Sequence, residues 1–139
     1  MKMIKPNGAL VLLMVMIIIT WSPVLPVSAN VQASITNKLG SGKNLSLHCQ
    51  SKDDDLGQQN ISNDASFSWE FSVNPWGTTL FFCVLGWESV GNYEFDAYSF
   101  ARDRVRCENR CAWLVSAEGI YGLNDQTGFW EYVYSWPVP

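Results

Sequence analysis

From residue 31 onward, apolar and polar positions alternate over most of the chain. Val31, Ala33 and Ile35 are interleaved with Gln32, Ser34 and Thr36, and Leu45, Leu47 and Cys49 with Ser46, His48 and Gln50. Phe67, Trp69 and Phe71 are separated by Ser68 and Glu70, and Tyr93, Phe95 and Ala97 by Glu94 and Asp96. Cys111, Trp113 and Val115 continue the pattern, Ile120–Leu123 is a short apolar run, and Trp130, Tyr132, Tyr134 and Trp136 fall on one face of a final segment. A period of two is the signature of a strand that buries one face. The run Thr78–Trp87, TTLFFCVLGW, breaks the rule because both of its alternating sets are apolar or small. Its β-branched and aromatic content predicts a central strand covered on both faces.

Turn chemistry separates these segments. Gly40-Ser41-Gly42, Asn74-Pro75-Trp76-Gly77, Ser89–Asn92, Glu118-Gly119 and Asn124–Gly128 carry the glycine, proline and asparagine that reversals require. Ser51–Asn60 is polar and reads as a loop, and the charged segment Ala101–Arg110 as a loop or short strand. No segment has a helical apolar period. About eight short strands at this spacing predict an all-β fold, a small immunoglobulin-like β-sandwich or a small barrel.

The first 29 residues read differently. Lys2 and Lys5 precede the apolar run Ala9–Thr20, and Pro23, Pro26 and the small residues Val27-Ser28-Ala29 follow it. This is the layout of a secretory signal peptide cut after Ala29, or else after Ala33; against the rival reading as an uncleaved anchor, the run is shorter than the roughly 20 residues that span a bilayer. The 139-residue chain is thus expected to leave one domain, residues 30–139, with no membrane insertion after cleavage. An exported domain of that size with Cys49, Cys83, Cys107 and Cys111 is expected to hold two disulfides. Of the three pairings, a Cys107–Cys111 bridge closes only a small loop, so the preferred expectation joins Cys49 and Cys83 each to one of the late pair. Asn44-Leu45-Ser46 and Asn60-Ile61-Ser62 are glycosylation acceptors in such a compartment.

Charge and chemistry narrow the function. Losing Lys2 and Lys5 takes the basic count from 9 to 7 against 13 acidic residues, a net of −6. Nucleic acid and anionic membrane are poor partners for such a surface. Arg102, Arg104, Arg106 and Arg110 are expected to form ordinary solvated pairs with Asp103 and Glu108. His48 is the one histidine. It is adjacent to Cys49 and so faces the other side of its strand, and no nucleophile-elbow pattern accompanies it. No catalytic residue is assigned. Asp53-Asp54-Asp55 lacks the distal glutamate of a calcium loop and reads as a turn capping the backbone ahead of Gly57. Neither metal nor cofactor is expected.

Taken in order, one set of stretches resembles the plant self-incompatibility S-protein homologues, small secreted proteins first associated with pollen rejection. The stretches are Ile35-Thr36-Asn37, His48-Cys49, Ser51–Gly57, Phe67 with Trp69-Glu70-Phe71, and Trp76–Cys83, then Phe95-Asp96 with Tyr98, Arg102-Asp103, Arg106-Cys107, Cys111-Ala112-Trp113, Gly119-Ile120-Tyr121 and Tyr134-Ser135-Trp136. The resemblance implies a β-sandwich, a cleaved leader and four cysteines at these places. The family usually spaces its late cysteines by two residues, whereas here Glu108-Asn109-Arg110 makes three. If the segment were extended, the extra residue would turn one cysteine to the other face.

The implied function is that of a secreted, monomeric signalling ligand recognised by a cell-surface membrane receptor, in pollen rejection, development or defence. The contact surfaces expected from turn chemistry are the Ser51–Asn60, Ser89–Asn92 and Asn124–Gly128 loops. The alternatives are an extracellular glycan-binding module using exposed aromatics, or a secreted hydrolase dependent on His48.

Overall fold

A computed structural model describes residues 30–88 and 90–137. The expected leader, residues 1–29, lies outside the described residues. The described chain forms nine strands and one helix: β1 (Asn30–Lys38), β2 (Leu45–Gln50), β3 (Asp55–Ile61), β4 (Ser66–Ser72), β5 (Leu80–Trp87), β6 (Val90–Ser99), α1 (Phe100–Arg106), β7 (Arg110–Ser116), β8 (Gly119–Asn124) and β9 (Phe129–Ser135). They make two sheets, ordered β4-β1-β7-β8-β9 and β3-β2-β5-β6. Every pairing is antiparallel except β1 with β7. The all-β sandwich with two disulfides is therefore the fold.

The inward residues of the alternating strands build the core. Val31, Ala33 and Ile35 of β1, Leu45 and Leu47 of β2, Phe81 and Leu85 of β5, and Trp113 and Val115 of β7 are all buried. Burial of each valine, leucine, isoleucine or phenylalanine among them contributes about 1.5–3 kcal/mol. Asn37 ends β1 in the core, yet all its polar groups are paired. Its Nδ2 donates to the carbonyls of Lys43 and Ile61 at 2.8 and 2.9 Å, and its Oδ1 accepts from Leu39 N–H at 2.9 Å. It thereby ties the β1–β2 loop to the end of β3, at the end of the sandwich opposite α1.

Five expectations need correction. First, Asp55–Ile61 is a strand and not a loop. It is the edge of the second sheet, so its outward residues Gln58 and Asn60 meet water and carry no apolar alternation. Second, β5 is interior to its sheet but is covered on one face only. Phe81, Cys83 and Leu85 are buried, while Phe82 and Val84 are half-exposed. Third, a register shift between Ile120 and Tyr121 splits the last strand. Tyr134 pairs with buried Ile120 and turns inward, while Tyr132 pairs with Tyr121 and is exposed. The four aromatics do not share a face, because a bulge reverses which side the alternate residues occupy.

The fourth correction concerns the cysteines. Cys49 bonds Cys83, and Cys107 bonds Cys111. Cys49 and Cys83 are direct cross-strand partners on β2 and β5, with Cα atoms 4.0 Å apart. Cys107 caps α1 and Cys111 lies on β7, 5.1 Å away across the Glu108-Asn109 turn. The segment between them is not extended, so the additional residue flips nothing. In the chain-entropy account the 34-residue separation of the first bridge stabilises by about 4 kcal/mol, and the separation of 4 in the second by about 2.

The fifth correction is the charged segment, which is neither loop nor strand, and its Arg102 and Arg106 form no ordinary solvated pairs but share a buried Asp103. It is a seven-residue helix whose buried face carries Asp103 and Arg106. Asp103 is fully buried, and its carboxylate accepts four hydrogen bonds: from Arg102 Nε and Nη2 at 2.7 and 2.6 Å, Arg106 Nε at 2.9 Å and Ser99 N–H at 2.8 Å. Arg102 reaches on to Tyr134 Oη at 2.6 Å and the Asp96 carbonyl at 2.8 Å, and Arg106 to the Leu123 carbonyl at 2.7 Å. Both guanidiniums lie over the Trp113 ring, at 5.2 and 4.4 Å, and the indole N–H donates to the Ala97 carbonyl at 2.8 Å. Burial works against the Arg102 charge, but the bonds and charge of Asp103 more than offset it and hold its pKa above the ordinary arginine value. Gly122 leaves the room this packing needs, since a Cβ there would come within 2.8 Å of Arg106 and Trp113.

Removing one partner of a buried charge pair typically costs about 3–5 kcal/mol. Asp103→Ala is accordingly expected to lower the unfolding free energy by about that much in urea melts. Asp96→Ala, at an exposed side chain, is expected to stay within about 0.5 kcal/mol of the parent. A loss below about 1 kcal/mol at Asp103 would rule out a stabilising role for the cluster.

Candidate functional site

The three expected contact loops do not form one surface. Ser51–Asp54 joins β2 to β3 and Asp125–Gly128 joins β8 to β9, both at the α1 end but toward opposite edges of the sandwich. Trp87 pairs with Val90 in a tight β5–β6 hairpin at the other end. Ser89 lies outside the described residues, and Val90–Asn92 belong to β6. What the structure gathers instead is an open groove of about 810 Å³ at the α1 end. It is bounded by the β2–β3 loop, the edge strand β4, and the turn that leads into β5.

Asn74 builds the turn. Its side-chain Oδ1 accepts from Thr78 N–H at 3.0 Å, its Nδ2 donates to Thr78 Oγ1 at 2.9 Å, and its own N–H donates to Thr79 Oγ1 at 2.8 Å. Gly77 adopts φ +71°, and a Cβ there would lie 2.9 Å from the Phe100 ring. Helix α1 thus braces the turn from beneath, and Phe100 N–H donates to the Thr79 carbonyl at 3.2 Å. The result is a fixed loop that presents Trp76 with 79% of its surface exposed. The signal was legible: a tryptophan inside a Pro/Gly turn has no strand face to hide on.

Across the groove lie Asp53 and Asp54, with Lys52 between Ser51 and the acids, and Glu70 lies on β4. Trp69 also lines it. That side chain is nine-tenths buried, stacked on Phe67 at 5.6 Å and tilted against Phe81 at 5.7 Å. Its indole N–H has no hydrogen-bond partner among the described residues. A buried donor left in that state costs about 1–3 kcal/mol. The other buried unpartnered group, Arg106 Nη2, belongs to the guanidinium that lies over Trp113.

Asp55 and His48 form a separate pair on the outer face of the second sheet. His48 Nε2 and Asp55 Oδ1 are 2.6 Å apart, and the same carboxylate oxygen accepts from Gly57 N–H at 2.8 Å. The expected backbone cap ahead of Gly57 is thus made by Asp55. The nearest hydroxyl on that face along β2, Ser46 Oγ, accepts from Gln58 Nε2 at 2.9 Å and makes no hydrogen bond to His48 among the described residues. All four cysteines are in disulfides. Asn44 and Asn60 are both exposed, the first entering β2 and the second on β3. A second aromatic surface lies on β8 and β9, where Trp130 and Tyr132 are exposed. The Tyr121 and Tyr132 rings are inclined at 67°, so they do not form a flat stacking platform. Among the described residues, no helix is long and apolar enough to cross a membrane.

A sequence model of the family described as plant self-incompatibility protein S1 matches residues 32–136. Self-incompatibility protein S1 of Papaver rhoeas is 31% identical over 102 residues, covering 73% of each chain. S-protein homolog 3 of Arabidopsis thaliana is 37% identical over 113 residues, 78% of this chain and 74% of that one. A solved structure described as a self-incompatibility protein homologue, from a widespread family of small, highly stable, secreted plant proteins, superposes with a TM-score of 0.56. It is 20% identical and covers 81% of this chain and 94% of the other, which shows the shared fold.

The Asp55 carboxyl is held below its ordinary value of 3.8, first by the Gly57 N–H and then by His48. A depressed acid stabilises the fold above its unfolded pKa, and that contribution disappears as pH falls through the lower folded value. Carboxyl NMR titration is expected to place the Asp55 midpoint below 3.8. In His48→Ala it should move upward without reaching 3.8, because the Gly57 bond remains. A midpoint at or above 3.8 in the parent protein would remove the argument.

Proposed function

The chain belongs to the plant self-incompatibility protein S1 family, and from that premise we propose that it is an exported signalling ligand recognised by a receptor on a cell surface. It works by binding and not by turnover: a rigid sandwich offers a shaped, charged surface to a partner. The observation that carries this reading is the groove. The stretches Ile35-Thr36-Asn37 and Arg102-Asp103 with Arg106-Cys107 have their role in holding the two ends of the fold together. The stretches Ser51–Gly57, Trp69-Glu70-Phe71 and Trp76–Cys83 converge on a concave surface whose exposed Trp76 serves no core. The tilt of the β8–β9 aromatics weighs against the glycan-binding alternative, and the absence of a nucleophile at His48 among the described residues weighs against a hydrolase.

Export implies processing. In this reading residues 1–29 are removed, and Asn44 and Asn60, both accessible, receive glycans. Mass spectrometry of protein secreted by plant cells is expected to show Asn30 at the amino terminus and glycosidase-sensitive mass at these two asparagines. An uncut leader would end the secreted-ligand reading.

The receptor step has its own test. Secreted protein carrying a proximity label is expected to bind intact cells saturably and to mark a membrane protein, with His48→Ala behaving as the parent. Binding that never saturates, with no surface protein enriched over an inert control, would overturn it.

A further inference from the structure

We propose that two copies of this chain join along β9, in place of the monomer that the resemblance implies, so that the five-stranded sheet of one copy continues into that of the other. β9 is an edge strand, paired on one side with β8 and open on the other among the described residues. An open edge is a row of backbone donors and acceptors that proteins usually guard with polar or charged side chains. The other three sheet edges are guarded in this way. β3 exposes Asp55, Gln58 and Asn60, β4 exposes three serines and Glu70, and β6 exposes Asn92, Glu94 and Asp96 beside Gly91. On β9 the exposed residues include Phe129, Trp130, Tyr132 and Val133, and Glu131 is the single charge.

The strand is also complementary to itself, as a two-fold contact requires. Trp130 and Tyr132 pair with Leu123 and Tyr121 of β8, which alternate with the buried Ile120 and Gly122, so both rings stand on the outer face of the sheet. Leu114 of β7 pairs with Tyr121 and continues the apolar surface. Residues directly opposite one another in an antiparallel pair share a face. A two-fold axis at Glu131 therefore sets Trp130 of each copy against Tyr132 of the other. Aromatic side chains present roughly 150–250 Å² each, so Phe129, Trp130 and Tyr132, at 72, 43 and 52% exposure, offer with Val133 on the order of 400 Å² per copy. Two copies cover on the order of 800 Å² before the backbone edge is added, the low end for a specific contact, so association is weak. The like charges of the two Glu131 side chains meet at the axis and weaken it further. The acidic excess lies elsewhere on the exterior, and a neutral strand is where two acidic molecules approach with least repulsion. The groove is bounded by β4, at the far edge of the same sheet, and stays open in both copies. On the receptor reading of the previous section, the dimer is a bivalent ligand.

Sedimentation equilibrium of the secreted protein is expected to show reversible association that ends at two copies. The backbone amide resonances that move on dilution should be those of residues 129–133, while those of β3 stay in place. Trp130→Ala should weaken association at least tenfold. Glu131→Gln should tighten it severalfold, and being an exposed change it keeps the test open even where Trp130→Ala fails to fold. Glu94→Gln, the same charge change on the β6 edge, should leave association within twofold of the parent. A single-copy mass at every concentration, growth beyond two copies, dilution shifts at Trp76 in place of β9, or equal tightening by the two glutamine variants would overturn the inference. The cell assay separates it from the receptor reading. If the parent forms dimers but saturates no cell surface, the receptor falls and the dimer remains. If it saturates cells yet stays a single copy in solution, the dimer falls and the receptor remains.

Discussion

Asp103 holds one end of this molecule together. A carboxylate with no access to water is tenable only when its lone pairs are filled, and here two arginines and a backbone amide fill them. Each arginine then carries the connection further. Arg102 reaches β6 and β9, Arg106 reaches β8, and both lie against Trp113 of β7, which is itself bonded to β6. Since β6 belongs to one sheet and β7, β8 and β9 to the other, the cluster closes the sandwich across its α1 end. Such a cluster is a weak source of net stability compared with apolar packing, but once present it cannot lose a member cheaply. It also narrows the arrangement, because few other placements of α1 would satisfy the four hydrogen bonds to Asp103 and cover the Trp113 ring together.

The disulfides do not perform that task. Cys49–Cys83 joins neighbouring strands of one sheet, and Cys107–Cys111 ties the end of α1 to the strand that follows it. Neither crosses between the layers. Cohesion between the sheets therefore rests on the apolar core, on the Asp103 cluster at one end and on Asn37 at the other. The covalent links limit the unfolded chain, while the noncovalent polar hubs decide how the layers meet. The groove benefits, because α1 is fixed by the cluster and in turn supports the Trp76 turn through Phe100.

The strands that bury one face were legible from alternation alone, since β1, β2, β4, β6 and β7 each put apolar residues at every second position. Two elements escaped for one reason: the usual link between polarity and exposure failed. In β3 an edge strand is polar because water covers its outer side, so Gln58 and Asn60 imitate a loop. In α1 the buried face is made of Asp103 and Arg106, so a hydrophobic period is missing where a helix exists. The bulge in β9 was hidden because a single inserted residue leaves composition untouched while it exchanges faces. Trp76 was visible as an oddity, but Trp69 was not. Its alternation marked it correctly as inward, and only the packing reveals an indole N–H without an acceptor.

The charge distribution extends the argument from the groove to the encounter. Residues 30–139 hold 7 basic and 13 acidic side chains, and the internal cluster consumes Arg102, Arg106 and Asp103. The outer surface is left with 5 basic against 12 acidic groups, a net of −7, and Lys38 and Lys43 are further engaged with Asp64 and Glu88. An exterior of that sign attracts basic partners over about a Debye length, roughly 8 Å at physiological salt, and raises the rate of encounter without selecting an orientation. Orientation has to come from contacts shorter than that length. The braced turn that keeps Trp76 exposed and the Ser51–Asp54 loop bound one groove at the α1 end where a partner would find such contacts. Engaging Arg102 and Arg106 with Asp103 inside the fold thus has an outer consequence: the charges left to meet a partner are more acidic in balance than those of residues 30–139 as a whole.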